Sequence, residues 1–155
     1  MNKKNVVSFE RAAEFYFDLG YKYINSGKLK KALRYLEKAV RIKPEDSYIQ
    51  FNYAGILAEL GDIERSTEVL LHIVKEIDSN YVECYFGLAC NYLQLQKIKK
   101  AIEYFTLYME KDPNGEYFEE SEDLLEMLYM IKEANNNLDD DELEKIYKIE
   151  EEAIK

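Results

Sequence analysis

Chemistry at a side chain needs a nucleophile, a base or a metal-ligand set, and few residues here offer one. The chain holds one histidine, His72, and two cysteines, Cys84 and Cys90. His72 lies in "LLHIV", and no motif places a nucleophile beside it, so it reads as a helix-surface or boundary residue. The cysteines stand six residues apart, on different sides of a helix. They cannot bridge without bending the chain and, with one histidine, form no zinc pattern. They read as plain thiols in a reducing compartment. The segment "NNNLDDDELEKI" has the composition of a calcium loop but fails its register. Counted from Asn135, Asp140 stands where a glycine is needed and Ile146 where a glutamate is needed. An acidic helix N-terminus accounts for it better. There is no glycine-rich phosphate loop, and the many carboxylates sit on solvated faces with nothing to raise one pKa selectively. No enzyme, metal site or cofactor is expected.

Charge narrows the partners further. The 155 residues carry a formal net charge of −10, unevenly spread. Residues 1–46 hold 11 Lys and Arg against 6 Asp and Glu; residues 110–155 hold 5 against 17. Such a surface repels a phosphate backbone, so nucleic acid is not an expected partner, and the basic start reads as a solvated helix face. The N-terminus has no apolar run before Glu10 and Arg11, and no stretch approaches membrane-spanning length. A cytoplasmic protein with no membrane partner is expected. Richness in Lys, Ile, Asn, Tyr and Glu resembles proteins of AT-rich bacterial genomes.

The elements repeat. "GKLKKALRYLEKAVRIKP" (27–44) aligns with "GDIERSTEVLLHIVKEID" (61–78) and "QKIKKAIEYFTLYMEKDP" (96–113). Ala32 then matches Ser66 and Ala101, Leu36 matches Leu70 and Phe105, and Pro44 matches Asp78 and Pro113, in steps of 34 and 35 residues. Before each lies a second segment in which Gly20, Ala54 and Ala89 align. Only two Pro and six Gly occur, which favours helix. Ala32, Leu33, Leu36, Ala39 and Val40 fall at helical spacing. Gly27 suits a helix C-terminus, Pro44 stops the next helix, and "PEDS" offers caps. Small residues at 32 and 39, facing Gly20, Ala54 and Ala89, let paired helices approach closely.

This pattern resembles the tetratricopeptide repeat, a 34-residue helix–turn–helix unit, over about residues 13–115. The departures are Ser66, Ile73 and Asp78 in the second unit, with an extra residue near "DSNYVE", and Gln96 and Tyr108 in the third. The larger groups should widen the local packing. The resemblance implies an all-α, right-handed α-solenoid. Repeats at about 13–46, 47–81 and 82–115 and C-terminal capping helices over about 116–155 form a single domain. A repeat stack needs a cap, and "GEYFEESEDLLEMLYMIKEA" (115–134) supplies one with Leu124, Leu125, Leu128 and Ile131 inward. A last helix with Leu143, Ile146 and Tyr147 either completes a fourth pair or opens a longer region.

The resemblance also implies a function: the concave face formed by the first helices commonly binds an extended peptide or a partner's helix. Phe17, Phe51 and Phe86 hold one place on it, 34 and 35 residues apart, with Glu14, Asp18, Tyr21, Tyr48, Asn52, Gly55, Glu83 and Cys90 around them. Phenylalanines at this spacing can equally be interhelical filling. Family members that clamp a C-terminal carboxylate use two Asn and several Lys or Arg. Here the corresponding places hold Phe17, Tyr21, Asn52, Glu83 and Phe86, and only Asn52 fits. An acid-rimmed aromatic groove instead favours an apolar or basic protein segment. The alternatives are a self-assembling homo-oligomeric unit and a regulatory domain of a longer protein. Replacing Ala39 with Leu is predicted to overpack the paired helices and lower stability by about 1–3 kcal/mol. A thermal melt unchanged by that substitution contradicts the packing.

Overall fold

The structure is a computed structural model and describes residues 3–135. Most of the calcium-like segment and the last expected helix, with Leu143, Ile146 and Tyr147, lie outside the described residues. Within them the chain is helical: α1 (Lys3–Asn25), α2 (Leu29–Ile42), α3 (Ser47–Glu59), α4 (Ile63–His72) continued by a π turn (Ile73–Ile77), α5 (Glu83–Gln94), α6 (Ile98–Lys111) and α7 (Phe118–Ala134). The chain divides into two compact units between Tyr81 and Val82. In the first unit α1 packs on α2, α2 on α3 and α3 on α4; in the second α5 packs on α6 and α6 on α7.

Each second helix seals its inner stripe completely. Ala32, Leu36 and Ala39 are 0% exposed, and the matching Ser66, Leu70 and Ile73, and Ala101, Phe105 and Tyr108, are no more than 3% exposed. At Gly20 the need for a small residue is direct. A Cβ there would stand 2.9 Å from Leu36 Cγ and 3.0 Å from Leu36 Cδ2, closer than side chains tolerate. Leu36 also joins Tyr53, Ile56 and Leu57 of α3, so one leucine ties three helices together. The third repeat fills the position of Ala39 with Tyr108, whose hydroxyl accepts a hydrogen bond from the Tyr117 N–H at 3.1 Å and so helps anchor the approach to α7. On α7 itself Ser121 and Leu128 are fully buried. Leu124, Leu125 and Ile131 are only half-buried, so the expected apolar face is narrower than the sequence pattern implies.

The turns within the three pairs share one device. Gly27 and Gly61 take positive φ (70° and 85°), and Gln96 does the same at 60°. In each, two backbone bonds close the helix end: Gly27 N–H to Ile24 O with Lys28 N–H to Tyr23 O, Gly61 to Ala58 with Asp62 to Leu57, and Gln96 to Leu93 with Lys97 to Tyr92. This is the Schellman arrangement, which glycine enters without steric cost. Gln96 enters it at a cost.

The extra residue of the second repeat is not in the "DSNYVE" loop. It is taken up inside the helix by the π turn, where Asp78 N–H donates to Ile73 O, five residues back, at 2.7 Å. The equivalent bonds run four residues back, from Lys43 to Ala39 and from Asp112 to Tyr108. Asp78 therefore stands at the place of Lys43 and Asp112, and the residue matching Pro44 and Pro113 is Ser79. The sequence alignment, which paired Asp78 with the prolines, is corrected by one residue. Asp46 caps α3 by accepting the Ile49 N–H at 3.0 Å, as "PEDS" indicated.

Gln96→Gly is predicted to stabilise the fold by about 0.5–1 kcal/mol, the relief of a left-handed non-glycine residue less the extra freedom of the unfolded glycine. Chemical denaturation of the two chains checks it; a lower midpoint for Gln96→Gly contradicts the turn assignment.

Candidate functional site

The residues singled out on the first helices form three stripes of one design. Glu14, Phe17, Asp18 and Tyr21 lie on α1 at i, i+3, i+4 and i+7, a single helix face. Tyr48, Phe51, Asn52 and Gly55 repeat the spacing on α3, and Glu83, Phe86 and Cys90 on α5. On α5 the remaining place belongs to Gly87, which the sequence reading passed over. None of these places carries a lysine or arginine.

All three phenylalanines are half-buried. Phe17 packs against the Leu36–Tyr53–Ile56–Leu57 core with one side of its ring. Each also meets a tyrosine that follows 30 or 31 residues later: Phe17 with Tyr48 (ring centroids 5.3 Å apart), Phe51 with Tyr81 (5.2 Å) and Phe86 with Tyr117 (4.3 Å, interplanar angle 11°). Tyr81 and Tyr117 were missed from sequence. Their signal is the offset from the phenylalanine, because the tyrosines themselves recur at uneven steps of 33 and 36. Interhelical filling and an accessible aromatic face are thus both present. Each phenylalanine is partly covered by these rings, Phe86 also by Phe105 and Tyr108, while Tyr21 and Tyr48 remain 49% and 55% exposed.

The polar members are distributed as follows. Glu14, Asp18 and Glu83 are exposed. Asn52 spends one of its two amide N–H groups on the Tyr48 carbonyl at 2.8 Å, which ties its side chain to its own helix. Gly55 is exposed, and a Cβ there would meet nothing within 4 Å. In the second unit burial pushes the Cys90 thiol up to about 11, with the Glu120 carboxylate adding to it. A thiol so held stays protonated and is a poor nucleophile. Burial also raises the Tyr117 hydroxyl, followed by the charge of Glu116 and, further down, of Glu120 and Glu83. The Phe86–Tyr117 pair is therefore rimmed by carboxylates. His72 is exposed and Cys84 buried. Among the described residues no group of three or more His, Cys, Asp or Glu is placed to hold a metal ion, and no helix is long and apolar enough to cross a membrane.

Known proteins show the same units. The tetratricopeptide-repeat profile matches residues 13–46 and 82–114. The chain is 29% identical over 127 residues to the TPR repeat-containing protein YvcD of Bacillus subtilis, covering 82% of this chain and 26% of YvcD. It is 25% identical over 139 residues to an Hsp70-Hsp90 organising protein of Plasmodium falciparum, covering 86% of this chain and 55% of that one. The chain thus spans about a quarter and about half of these relatives. Among solved structures, the first TPR of Spaghetti (RPAP3) bound to the HSP90 peptide SRMEEVD superposes with a TM-score of 0.71 at 20% identity, over 78% of this chain and 93% of that domain. The Yersinia enterocolitica secretion chaperone SycD in complex with a peptide of the translocator YopD gives 0.70 at 19% identity, over 77% and 93%. The two matched repeats, and the period of paired helices sealed by small residues, identify tetratricopeptide repeats in this chain.

Proposed function

We propose that the chain is a protein-interaction adaptor. Its three repeats and the α7 cap act as one domain, and the Phe17, Phe51 and Phe86 stripes hold a peptide or helix of a partner. The observation that carries this reading is the recurrence of one phenylalanine–tyrosine pair at one register in all three repeats, with Tyr21 and Tyr48 exposed and with exposed carboxylates on α1 and α5. Aromatic anchors flanked by charge are the usual make-up of a recognition face. Spaghetti and SycD, of the same fold, are bound to peptides, which supports binding rather than catalysis.

The partner's chemistry follows from the rim. The HSP90 peptide SRMEEVD held by Spaghetti ends in acids. The stripes here have no base to receive a carboxylate, Glu83 stands where one would be, and the Asn52 side chain is tied to its own helix through one of its two N–H groups. An apolar segment with lysine or arginine fits instead, because its cations meet Glu14, Asp18, Glu83 and the carboxylates around Tyr117.

The test is fluorescence anisotropy with a labelled amphipathic Lys/Leu peptide and with SRMEEVD, against the native chain, Phe51→Glu and Gly55→Leu. The Lys/Leu peptide is expected to bind the native chain, and Phe51→Glu to weaken it by about tenfold or more. Phe51 is half-buried, so its loss can also disturb the fold. Gly55→Leu separates the two effects: it adds helix propensity in open space, so it should keep or raise the melting temperature while obstructing the stripe. Preferred binding of SRMEEVD, or full affinity in Gly55→Leu, contradicts the proposal.

A further inference from the structure

A second surface lies on α1 and α2 of the first unit, built from residues that the phenylalanine stripes do not use. Tyr23 and Tyr35 stack with ring centroids 5.4 Å apart and planes 6° off parallel, and Tyr16 continues the ladder 6.3 Å from Tyr35. Beside it opens a cleft of about 370 Å³ lined by Tyr23, Tyr35, Glu37 and four cations, Lys31, Arg34, Lys38 and Arg41. Lys31 Nζ lies over the Tyr23 ring at 5.6 Å, and Lys38 Nζ over Tyr16 and Tyr35 at 5.1 and 5.4 Å. Arg41 pairs with Glu37 at 3.5 Å. Among the described residues no carboxylate lies within 4 Å of Lys31, Arg34 or Lys38.

The third repeat supplies an internal control. It rebuilds the ladder as Tyr85, Tyr104 and Tyr92, with Lys100 over Tyr92 at 5.0 Å. There the places of Arg34, Lys38 and Arg41 hold Glu103, Leu107 and Glu110. The ladder is thus a packing device that the helix pair uses twice. Lysines over rings recur there too, with Lys111 4.9 Å from the Tyr85 ring, but Arg34 and Arg41 have no basic counterpart, and their addition on α2 requires another account.

The complementary surface is on the same sequence. The solvent face of α7 presents Glu119, Glu122, Asp123 and Glu126 at i, i+3, i+4 and i+7, all exposed. It continues into Met127 and Met130, which are 42% and 60% exposed. On α2 the cations at 31, 34, 38 and 41 lie along about 15 Å of helix, and on α7 the carboxylates from 119 to 126 lie along about 11 Å. One face offers cations on aromatic rings, and the other carboxylates beside exposed methionines. Sign and apolar content match, and both charged faces are two to three turns long.

We infer that α7 of a second copy seats in the tyrosine–lysine cleft of α2, giving head-to-tail association of the chain. The contact is heterologous: one copy uses α2 and its partner uses α7, so each added copy leaves one free surface at either end. The attraction is between exposed charges and is screened by salt.

The test is light scattering of the full chain across a range of concentrations at low and high salt, with two charge-reversal variants, Lys31→Glu/Lys38→Glu and Glu122→Lys/Glu126→Lys. All four sites are exposed, and circular dichroism verifies that both variants fold. The native mass should rise with concentration at low salt and fall with added salt. Each variant alone should associate at least about tenfold more weakly. Mixed, they should associate again, since the native α7 of one meets the native cleft of the other and the two reversed faces are of opposite sign. A native chain monomeric at every concentration overturns the inference. So does association that survives either variant, or a mixture that stays monomeric. Binding of a labelled oligonucleotide by a chain that remains monomeric gives the cleft to nucleic acid and also overturns it.

Discussion

Gly20 and Leu36 set the distance at which α1 and α2 pack. The glycine has no Cβ because Leu36 occupies the space a Cβ would need, and the leucine goes on to join α3. The same inner stripe on α4 and α6 is sealed to a few per cent exposure, although its residues range from alanine to tyrosine. Burying one side of every second helix fixes the rotation of each helix about its axis. That rotation decides which residues of the first helices remain on the surface, and it is why the phenylalanine stripes repeat at one register.

Aromatic side chains do much of the remaining positioning. The chain holds 14 tyrosines and no tryptophan. Tyrosine presents a flat apolar ring that can stack and a hydroxyl that can stay in water or take a partner, so it suits boundary positions. It serves here in three ways: in the ladders within the first and third helix pairs, as the partner of each phenylalanine, and at Tyr108 as both filler and hydrogen-bond acceptor. Arg65 donating to the Tyr53 hydroxyl at 2.7 Å adds a fourth use on the second pair. Phe86 on Tyr117, with ring centroids 4.3 Å apart, is also where the surrounding carboxylates gather.

Much of this was legible in the sequence. Small residues at a fixed spacing, glycines at helix ends and a capping aspartate each have a local physical cause, and each was read in its place. Three features were not legible because their causes are not local. The π turn at Ile73–Ile77 moves the second repeat by one residue inside a helix, where a count of residues assigns the shift to the loop. Gln96 takes a left-handed conformation that its residue type disfavours, imposed by the two hydrogen bonds that close the turn. Tyr81 and Tyr117 meet their phenylalanines through space, at steps that break the period of the repeat. The phenylalanines and the acids beside them were named from the sequence as a candidate site. That Asn52 is bonded to its own helix, and that Cys90 is held protonated by burial beside Glu120, required coordinates.

The central claim is that three equivalent stripes act together as one recognition face. The seven phenylalanines give a direct reading of it, since ring-labelled phenylalanine yields few NMR signals from a chain of this size. Titrating such a sample with the Lys/Leu peptide should move the rings of Phe17, Phe51 and Phe86 together along one binding curve. Phe9 and Phe15, exposed elsewhere on α1, should stay in place. Movement confined to Phe9 or Phe15, or separate curves for the three stripe phenylalanines, would contradict a single face built from the repeats.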